Sequence, residues 1–200
     1  MHDALAPRQA RGKDALRHWS DRVLALVDAH AGSRRGTVDP RPLATALSEA
    51  AYWPAAPRAR DVAGQAAYRR IPLAGHPARG CEALLILWPP GHATPIHDHA
   101  GLWGIELVLD GVLEVEAFAL SLQPATRLVA RERAMLGAGD HATFSGADYA
   151  HRCRNLSAQQ PALSLHVYGG ELDAYRSFRQ QADGGWVDTE HRARREPALI

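Results

Sequence analysis

The sequence Gly91-His-Ala-Thr-Pro-Ile-His97-Asp-His99 decides the fold. It begins as a glycine turn and continues as an extended segment, so we expect a β-strand over Thr94–His99. Alternate residues of a strand face the same side of a sheet, which would present the imidazoles of His97 and His99 to one ion. An antiparallel barrel can bring the distant His151 opposite this pair. Three neutral imidazoles with open coordination positions are typical of a reactive metal centre rather than a closed structural one.

The N-terminal part of the chain predicts helices. Apolar residues recur at helical spacing between Asp14 and His30. They are Leu16, Trp19, Val23, Leu24, Leu26 and Val27. A second helix is expected over Pro40–Tyr52, with Asp39 as its N-cap and Pro54 marking its end.

From Tyr68 onward, short apolar runs broken by glycine, proline and aspartate predict β-strands. The expected strands are Tyr68–Leu73, Ala83–Trp88, Thr94–His99, Trp103–Leu109, Val112–Ala119, Thr126–Ala130, His141–Phe144, His151–Asn155 and Leu163–Tyr168. Asp110-Gly111 is a hairpin signal between two of them. Many closely spaced strands of this kind indicate a sandwich or a barrel.

The length of 200 residues suits one domain with a sizeable core. We expect a single domain over residues 1–200, with a helical part over 1–60 and a β-barrel core over 68–170. The charged, arginine-rich residues 184–200 are predicted to form an exposed C-terminal extension.

Composition excludes several classes of protein. Apolar residues make up 46% of the chain and charged residues 22%, which is typical of a globular protein rather than a disordered one. A net charge of +1 gives no field for nucleic acid or an acidic membrane. The longest apolar run, Ala83–Trp88, is too short to cross a bilayer. We therefore expect neither nucleic acid nor a membrane as a partner, and we favour a monomer.

The two cysteines and an N-terminus without a signal segment favour a reducing cytoplasm. Cys81 is expected to be a small buried side chain. Cys153 stands two residues after His151, so a regular strand would place it on the metal-facing side. A fourth ligand, an oxidation-sensitive thiol and a packed neighbour of the site are all open, and we favour the last.

A second pattern, Ser164-x-His166-x-Tyr168, accompanies the three histidines. The three residues alternate along one predicted strand, so all of them can point inward. A catalytic relay is one interpretation. A buried polar network whose hydrogen bonds are satisfied, with no task in catalysis, is the other.

These patterns resemble the cupin superfamily. Gly91-x5-His97-x-His99 matches the beginning of its first motif, and His151-x3-Asn155 matches the end of its second. The resemblance implies a mainly β fold, a cupin barrel (double-stranded β-helix, or jelly-roll) with N-terminal helices. Cupins commonly carry a metal-binding glutamate where this chain has Trp103 and Gly104.

In lacking that carboxylate, the chain resembles thiol dioxygenases of the cysteine dioxygenase type I family, in particular the bacterial ones. These are cupins without the glutamate ligand. The Pro95–His99 block, the Leu109-Asp-Gly111 turn, the His151-Arg segment and Ser164–Tyr168 follow the order and spacing of that family. Tyr68-Arg-Arg70 resembles its Tyr-x-Arg element.

The resemblance implies an Fe(II) enzyme that uses O2 to convert a small thiol to a sulfinic acid. By this resemblance His97, His99 and His151 hold the iron. Ser164, His166 and Tyr168 form a hydrogen-bonded relay, with the hydroxyl of Tyr168 nearest the iron. Arg70 pairs with the substrate carboxylate, because a guanidinium binds a carboxylate bidentately. Tyr68 lines the same pocket, and L-cysteine is the favoured substrate.

The chain departs from the resemblance at three places. Gly104 stands where animal members have a cysteine that crosslinks to the tyrosine, so we expect no such thioether. Gly169-Gly170 after Tyr168 is more like 3-mercaptopropionate dioxygenases, whose carboxylate-binding arginine follows this strand. Arg176 is a candidate for that substrate-binding role, or is simply an exposed helix residue.

Glu106 is the third departure, since the family usually has an apolar residue there. A buried carboxylate needs a partner. It can contact the substrate amine, join the metal ligands, or turn to solvent through a strand irregularity.

Other functions remain open at this stage. They are oxidation of 3-mercaptopropionate or another small thiol, a metal-binding cupin sensor without O2 chemistry, and a closed zinc site. A sensor has no need of Ser164, His166 and Tyr168 on one inward face, which argues against it.

Overall fold

The computed structural model describes residues 6–31, 39–62, 67–73, 80–194 and 196–197. Its helices lie before the strands in the chain. They are α1 (Ala6–Ala31), α2 (Arg41–Ser48) and α3 (Ala59–Val62), with a 3-10 turn at Glu49–Ala51 after α2. Both predicted helices are confirmed. Trp19, Val23 and Val27 are fully buried along one face of α1, and the indole N–H of Trp19 donates to the carbonyl of Ala50 at 2.9 Å.

The remainder of the described chain is built of strands. They are β1 (Arg69–Pro72), β2 (Glu82–Trp88), β3 (Ile96–His97), β4 (Gly104–Asp110), β5 (Leu113–Ser121), β6 (Arg127–Leu136), β7 (His141–Phe144), β8 (Tyr149–Asn155), β9 (Ala162–Tyr168), β10 (Ala174–Gln180) and β11 (Trp186–Arg192). They form two antiparallel sheets, one in the order β1-β2-β9-β4-β7 and the other in the order β11-β10-β3-β8-β5-β6. This is the mainly β cupin arrangement that the sequence predicts.

The five-stranded sheet is buried on both faces. Leu85, Leu107 and Leu165 point from its middle strands towards the helices, where they join a cluster that includes Trp19. Their chain neighbours on the same strands point to the interior between the sheets, because successive residues of a strand alternate. This explains why β2, β4 and β9 are continuously buried, and why polar residues inside β9 can only face the interior.

The Asp110-Gly111 turn is not a hairpin, contrary to the sequence-based expectation. β4 belongs to the five-stranded sheet and β5 to the six-stranded one, so the turn carries the chain from one sheet to the other. Gly111 has a φ of +84°, and a Cβ there would lie 2.7 Å from Cβ of Ala162. Only glycine fits this position without strain or overlap.

The C-terminal segment also differs from its prediction, which gives an exposed extension over residues 184–200 and an exposed helix residue at Arg176. Arg176 instead lies in β10, and Trp186–Arg192 forms β11, which pairs with β10 along its whole length. Most side chains of β11 are exposed, so its polar composition reflects an edge strand rather than a tail.

No helix in the described residues is long and apolar enough to span a membrane.

Candidate metal centre

The imidazoles of His97, His99 and His151 converge in the interior between the two sheets. His97 is the last residue of β3 and pairs in register with His151 on β8. Their Nε2 atoms lie 3.3 Å apart. The ring of His99 lies 5.1 Å from that of His97 and 4.7 Å from that of His151, measured between centroids. One ion can therefore contact all three side chains.

His99 reaches the site by a different route from the predicted strand Thr94–His99. β3 ends at His97, and the chain then turns through Ala100, which has a φ of +51°. Asp98 fixes this turn to β10. Its carboxylate accepts the backbone N–H of Arg176 at 2.8 Å and Nε–H of the same residue at 3.0 Å, so the two flanking histidines are held in place.

Arg176 is therefore not placed as the substrate-binding residue that the sequence suggested. Its guanidinium forms an ion pair with the buried carboxylate of Asp98, and Arg176 is absent from the described residues that line the cavity. Its observed contact is with the loop that carries two of the histidines.

The donor atoms of the three histidines fit a divalent metal. The carbonyl of Pro95 accepts Nδ1–H of His97 at 3.0 Å, which leaves Nε2 of that ring free to bind an ion. Within the described part of the chain, neither ring nitrogen of buried His99 has a hydrogen-bond partner. Buried polar atoms are rarely left unpaired, and an ion would satisfy this ring. Three imidazoles suit iron and zinc alike.

Burial sets the charge of this cluster. It lowers the pKa of His97, and it lowers the pKa of His99 and His151 further because the neighbouring imidazoles add to the effect. The rings are therefore neutral at ordinary pH, the state in which imidazole binds a metal.

Ser164, His166 and Tyr168 form a continuous hydrogen-bonded chain on β9. Oγ of Ser164 lies 2.9 Å from Nε2 of His166, and Nδ1 of His166 lies 3.1 Å from the hydroxyl of Tyr168. All three side chains are buried. The ring of Tyr168 stacks against His99 at 5.5 Å between centroids, which places the end of the chain beside the histidine cluster. Burial raises the pKa of Tyr168, so its phenol remains protonated.

Trp88 is a member of this network that the sequence analysis missed. Its indole N–H donates to Oγ of Ser164 at 2.8 Å. The signal for it was the alternation of side chains along β2. Trp88 lies two and four residues after Ile86 and Leu84, so it faces the interior as they do.

Glu106 points into the interior, so of the three alternatives the turn towards solvent is wrong. The residue is 3% exposed. One carboxylate oxygen lies 3.4 Å from Nδ1 of His151 and the other lies 3.4 Å from Nδ1 of His166. The thiol of Cys153 lies 3.6 Å from the carboxylate. Burial raises the pKa of Glu106 to about 8 in the absence of a metal.

Cys153 is buried beside the site, as the favoured interpretation expected. Its sulfur lies behind His151, 3.7 Å from Nδ1 rather than near the paired Nε2 atoms. Burial and the adjacent Glu106 raise the pKa of this thiol. Cys81 is also buried and free.

A cavity of about 940 Å³ opens beside the histidine cluster. Its lining includes residues of β1, β3 and β9 together with residues of β10 and β11, among them Arg70, His97, Tyr168, Tyr175, His191 and Arg192. Nη2 of Arg70 is buried, and among the residues that the structure describes it has no hydrogen-bond partner. The arrangement thus offers an unpaired cationic donor in the same cavity as a metal-ligating ring.

The contacts of the adjacent Arg69 differ from those of Arg70. Nε of Arg69 donates to both carboxylate oxygens of Glu196, at 2.9 and 2.8 Å. Arg69 therefore anchors the C-terminal segment, while Arg70 lines the cavity.

Gly104 faces the ring of Phe144. A Cβ on Gly104 would overlap that ring, and the ring itself stacks on His99 at 4.2 Å between centroids. Phe144 was not expected at the site. It packs where a side chain on residue 104 would project.

Two antiparallel sheets that enclose three histidines define the class of this protein as a cupin with a candidate metal site. The chain matches the family model for cysteine dioxygenase type I over residues 50–181, about two thirds of its length. It belongs to that family.

Curated relatives share part of this sequence. Cysteine dioxygenase type 1 from Homo sapiens is 29% identical over 98 residues, and the Bos taurus protein is 28% identical over the same length. Each alignment covers 49% of this chain and 49% of the relative. The chain thus spans about half the length of the curated relatives it matches.

Solved structures are similar to about half of this chain. The protein TT1209 from Thermus thermophilus is 26% identical with a TM-score of 0.41, and the match covers 52% of this chain and 88% of that one. An oxalate oxidase is 20% identical with a TM-score of 0.41, covering 55% of this chain and 53% of that one.

Proposed function

We propose that the chain is an Fe(II)-dependent thiol dioxygenase that oxidises L-cysteine to cysteine sulfinic acid. Both atoms of O2 enter the product, so the thiol group gains two oxygens and no further reductant is needed. The observation that carries the proposal is the cavity itself, which His97, Tyr168 and Arg70 all line, with Nη2 of Arg70 lacking a hydrogen-bond partner among the described residues.

The proposed metal ligands are His97, His99 and His151. They are neutral, so they leave the positive charge of a divalent ion undiminished, which favours an incoming thiolate. Bound iron would lower the pKa of the thiol and allow thiolate and O2 to meet at one centre. The protein holds the three rings in one geometry. The hydrogen bonds between Asp98 and Arg176 fix the segment that carries His97 and His99, and the pairing of β3 with β8 places His151 opposite His97.

Arg70 is the proposed partner of the substrate carboxylate. A guanidinium presents two parallel N–H donors that match a carboxylate, and Nη2 of Arg70 is left without an acceptor within the described residues. The ring of Tyr68 stacks on His92 at 4.7 Å and meets Trp88 edge-on at 5.2 Å, which fixes this wall of the cavity. Burial raises the pKa of Tyr68, so its phenol presents a neutral surface to the substrate.

Tyr168 is the proposed proton donor at the reacting end of the substrate. Its hydroxyl oxygen can accept from Nδ1 of His166, and its own proton is then free to point towards the cavity. His166 and Ser164 hold this orientation and contact no substrate in the proposal.

The proposed alternative substrate, 3-mercaptopropionate, requires a carboxylate partner after β9. Arg176 was the candidate, and its ion pair with Asp98 argues against it. We favour L-cysteine because Tyr68 and Arg70, which match the cysteine-type pattern, line the cavity.

The test is O2 consumption by Fe(II)-loaded protein given L-cysteine, 3-mercaptopropionate, cysteamine or no thiol, with sulfinate quantified by mass spectrometry. We expect sulfinate mainly from L-cysteine. His151→Ala should lose both iron and turnover, whereas the matched variant His18→Ala, on the exposed face of α1, should keep both. Iron-replete protein without thiol-dependent O2 uptake would contradict the proposal, and zinc bound in place of iron would favour a closed site or a sensor.

A further inference from the structure

Glu106 joins the two functional groups of this site, the metal ligands and the β9 relay. We propose that Glu106 is a positioning residue whose carboxylate holds both His151 and His166 with their ring proton on Nδ1. The inference rests on the metal site proposed above, and it assigns a role to a residue that the proposed reaction does not use.

The geometry places one carboxylate oxygen on each ring. Glu106 on β4 is the register partner of His166 on β9. Oε1 lies 3.4 Å from Nδ1 of His166, and Oε2 lies 3.4 Å from Nδ1 of His151. Both are close polar contacts, longer than a well-formed hydrogen bond. The side chain is buried, so water does not compete for either contact.

The tautomer of His151 follows from which of its nitrogens faces the metal position. Nε2 lies 3.3 Å from Nε2 of His97, on the side where an ion would bind. A metal-binding nitrogen carries no proton, so a neutral ring has its single proton on Nδ1. That N–H needs an acceptor.

Three groups surround Nδ1 of His151. They are Oε2 of Glu106 and the hydroxyl of Tyr149, each at 3.4 Å, and the sulfur of Cys153 at 3.7 Å. A carboxyl oxygen is a stronger acceptor than a phenol oxygen or a thiol sulfur. Cys153 also directs its thiol to the carboxylate, which further orients Glu106.

The tautomer of His166 depends on the partners of both its ring nitrogens. Trp88 can only donate, so Oγ of Ser164 accepts from it and can give its own proton to Nε2 of His166. The proton of His166 then lies on Nδ1, between the hydroxyl of Tyr168 at 3.1 Å and Glu106 at 3.4 Å. A carboxylate on this side stabilises that tautomer, and it leaves the Tyr168 proton free for the cavity.

A carboxylate behind a histidine ligand also makes the ligand more basic. Loss of such a partner typically lowers metal affinity about 10- to 100-fold. Because the same carboxylate contacts His166, a change at Glu106 alters the metal ligand and the relay together.

The test compares Glu106→Gln, which is isosteric, with Glu106→Leu, which resembles the apolar residue usual at this position. Glu114→Gln on β5 removes a charge of the same kind at a site whose ion pairs are with arginines, and it serves as the matched control. Fe(II) affinity is measured by competition with a chelator. The ring protons are located by 15N chemical shifts of labelled histidines in the diamagnetic Zn(II)-loaded protein.

We expect both Glu106 variants to lose about 10-fold or more in Fe(II) affinity and to shift the ring-nitrogen signals of His166 towards the other tautomer. The control should change neither. Unchanged affinity and unchanged tautomers in Glu106→Leu would overturn the inference, even if Glu106→Gln fails to fold. Metal binding without thiol turnover would overturn the proposed function and leave this inference standing, whereas failure of the three histidines to bind any metal would overturn both.

Discussion

The indole N–H of Trp88 on β2 donates to Oγ of Ser164 on β9 across 2.8 Å, and this contact gives the relay its direction. An indole never accepts, so Ser164 accepts at this contact and its own proton is available to His166. The orientation of the Tyr168 hydroxyl thus depends on a neighbouring strand as well as on β9.

Trp88→Phe should therefore keep an aromatic ring but lose the direction of the relay. We expect a several-fold fall in kcat and a loss of about 1–3 kcal/mol in the free energy of unfolding, because a buried hydroxyl loses its donor. Trp19→Phe is the matched control: it removes a buried indole donor on the helix side of the sheet. It should cost similar stability, measured by urea unfolding, and leave kcat unchanged. Equal kcat losses in both variants would show that Trp88 acts through packing alone.

Tyr168→Phe should retain iron and lose turnover. The three proposed ligands are imidazoles, and the substitution leaves them in place, so metal analysis should give the wild-type iron content. Removal of a proton donor at the reacting centre typically costs about 100-fold or more in rate. Full sulfinate production by this variant would show that the β9 network is structural only.

Arg70→Lys should weaken binding of carboxylate-bearing thiols selectively. The ammonium keeps the charge but loses the paired donors of the guanidinium, and we expect the KM for L-cysteine to rise about tenfold. Cysteamine lacks the carboxylate and should be oxidised with nearly unchanged parameters. Steady-state kinetics with both thiols makes the comparison, and an equal effect on the two would indicate that Arg70 does not contact the carboxylate.

The metal-free protein should lose stability as the pH falls. Burial lowers the pKa of His166 from 6.5 to about 3. Between these two pH values the imidazole is protonated in the unfolded chain and neutral in the folded protein. The contribution of the neutral ring is complete above pH 6.5 and is lost progressively between pH 6.5 and 3, by about 1.4 kcal/mol per pH unit. The pKa values of His97, His99 and His151 are lowered too, which adds to the slope. The raised pKa of Glu106, about 8, offsets part of it, because the folded protein holds that proton to a higher pH than the unfolded chain does.

Urea unfolding at pH 7 and pH 5 measures this loss. His166→Gln should reduce the difference between the two pH values by roughly 2 kcal/mol, and His18→Ala, on the surface of α1, should not. An identical pH dependence in His166→Gln and wild type would mean that this ring is protonated in the folded protein.

The sequence predicted most of the barrel because its strands are buried on one or both faces. Runs such as Ala83–Trp88 and Leu163–Tyr168 are nearly continuous in apolar residues, and they became β2 and β9 within a residue. β10 and β11 gave no such signal. They lie at the end of the six-stranded sheet, and the largely exposed β11 has a surface-like composition.

The candidate site was predictable where spacing alone carries the information. The β9 trio lies on one face, as the strand alternation implied. The three histidines also converge, but His99 lies in the turn after β3 rather than on the predicted strand. The orientation of Glu106 and the contacts of Arg176 were not predictable, because both depend on packing between strands that are distant in sequence. Asp98 illustrates the difficulty: its partner on β10 lies 78 positions further along the chain.

The far wall of the cavity comes from the end of the chain. Nε2 of His191 lies 2.7 Å from the hydroxyl oxygen of Ser177, and the ring of His191 stacks on Tyr175. The carboxylate of Glu196 is bound by Arg69 on β1. These terminal residues lie outside the 50–181 match to the family model. Substitutions at His191 or Arg192 on β11 can therefore change the charge and shape of the cavity while the three histidines and the β9 trio stay the same.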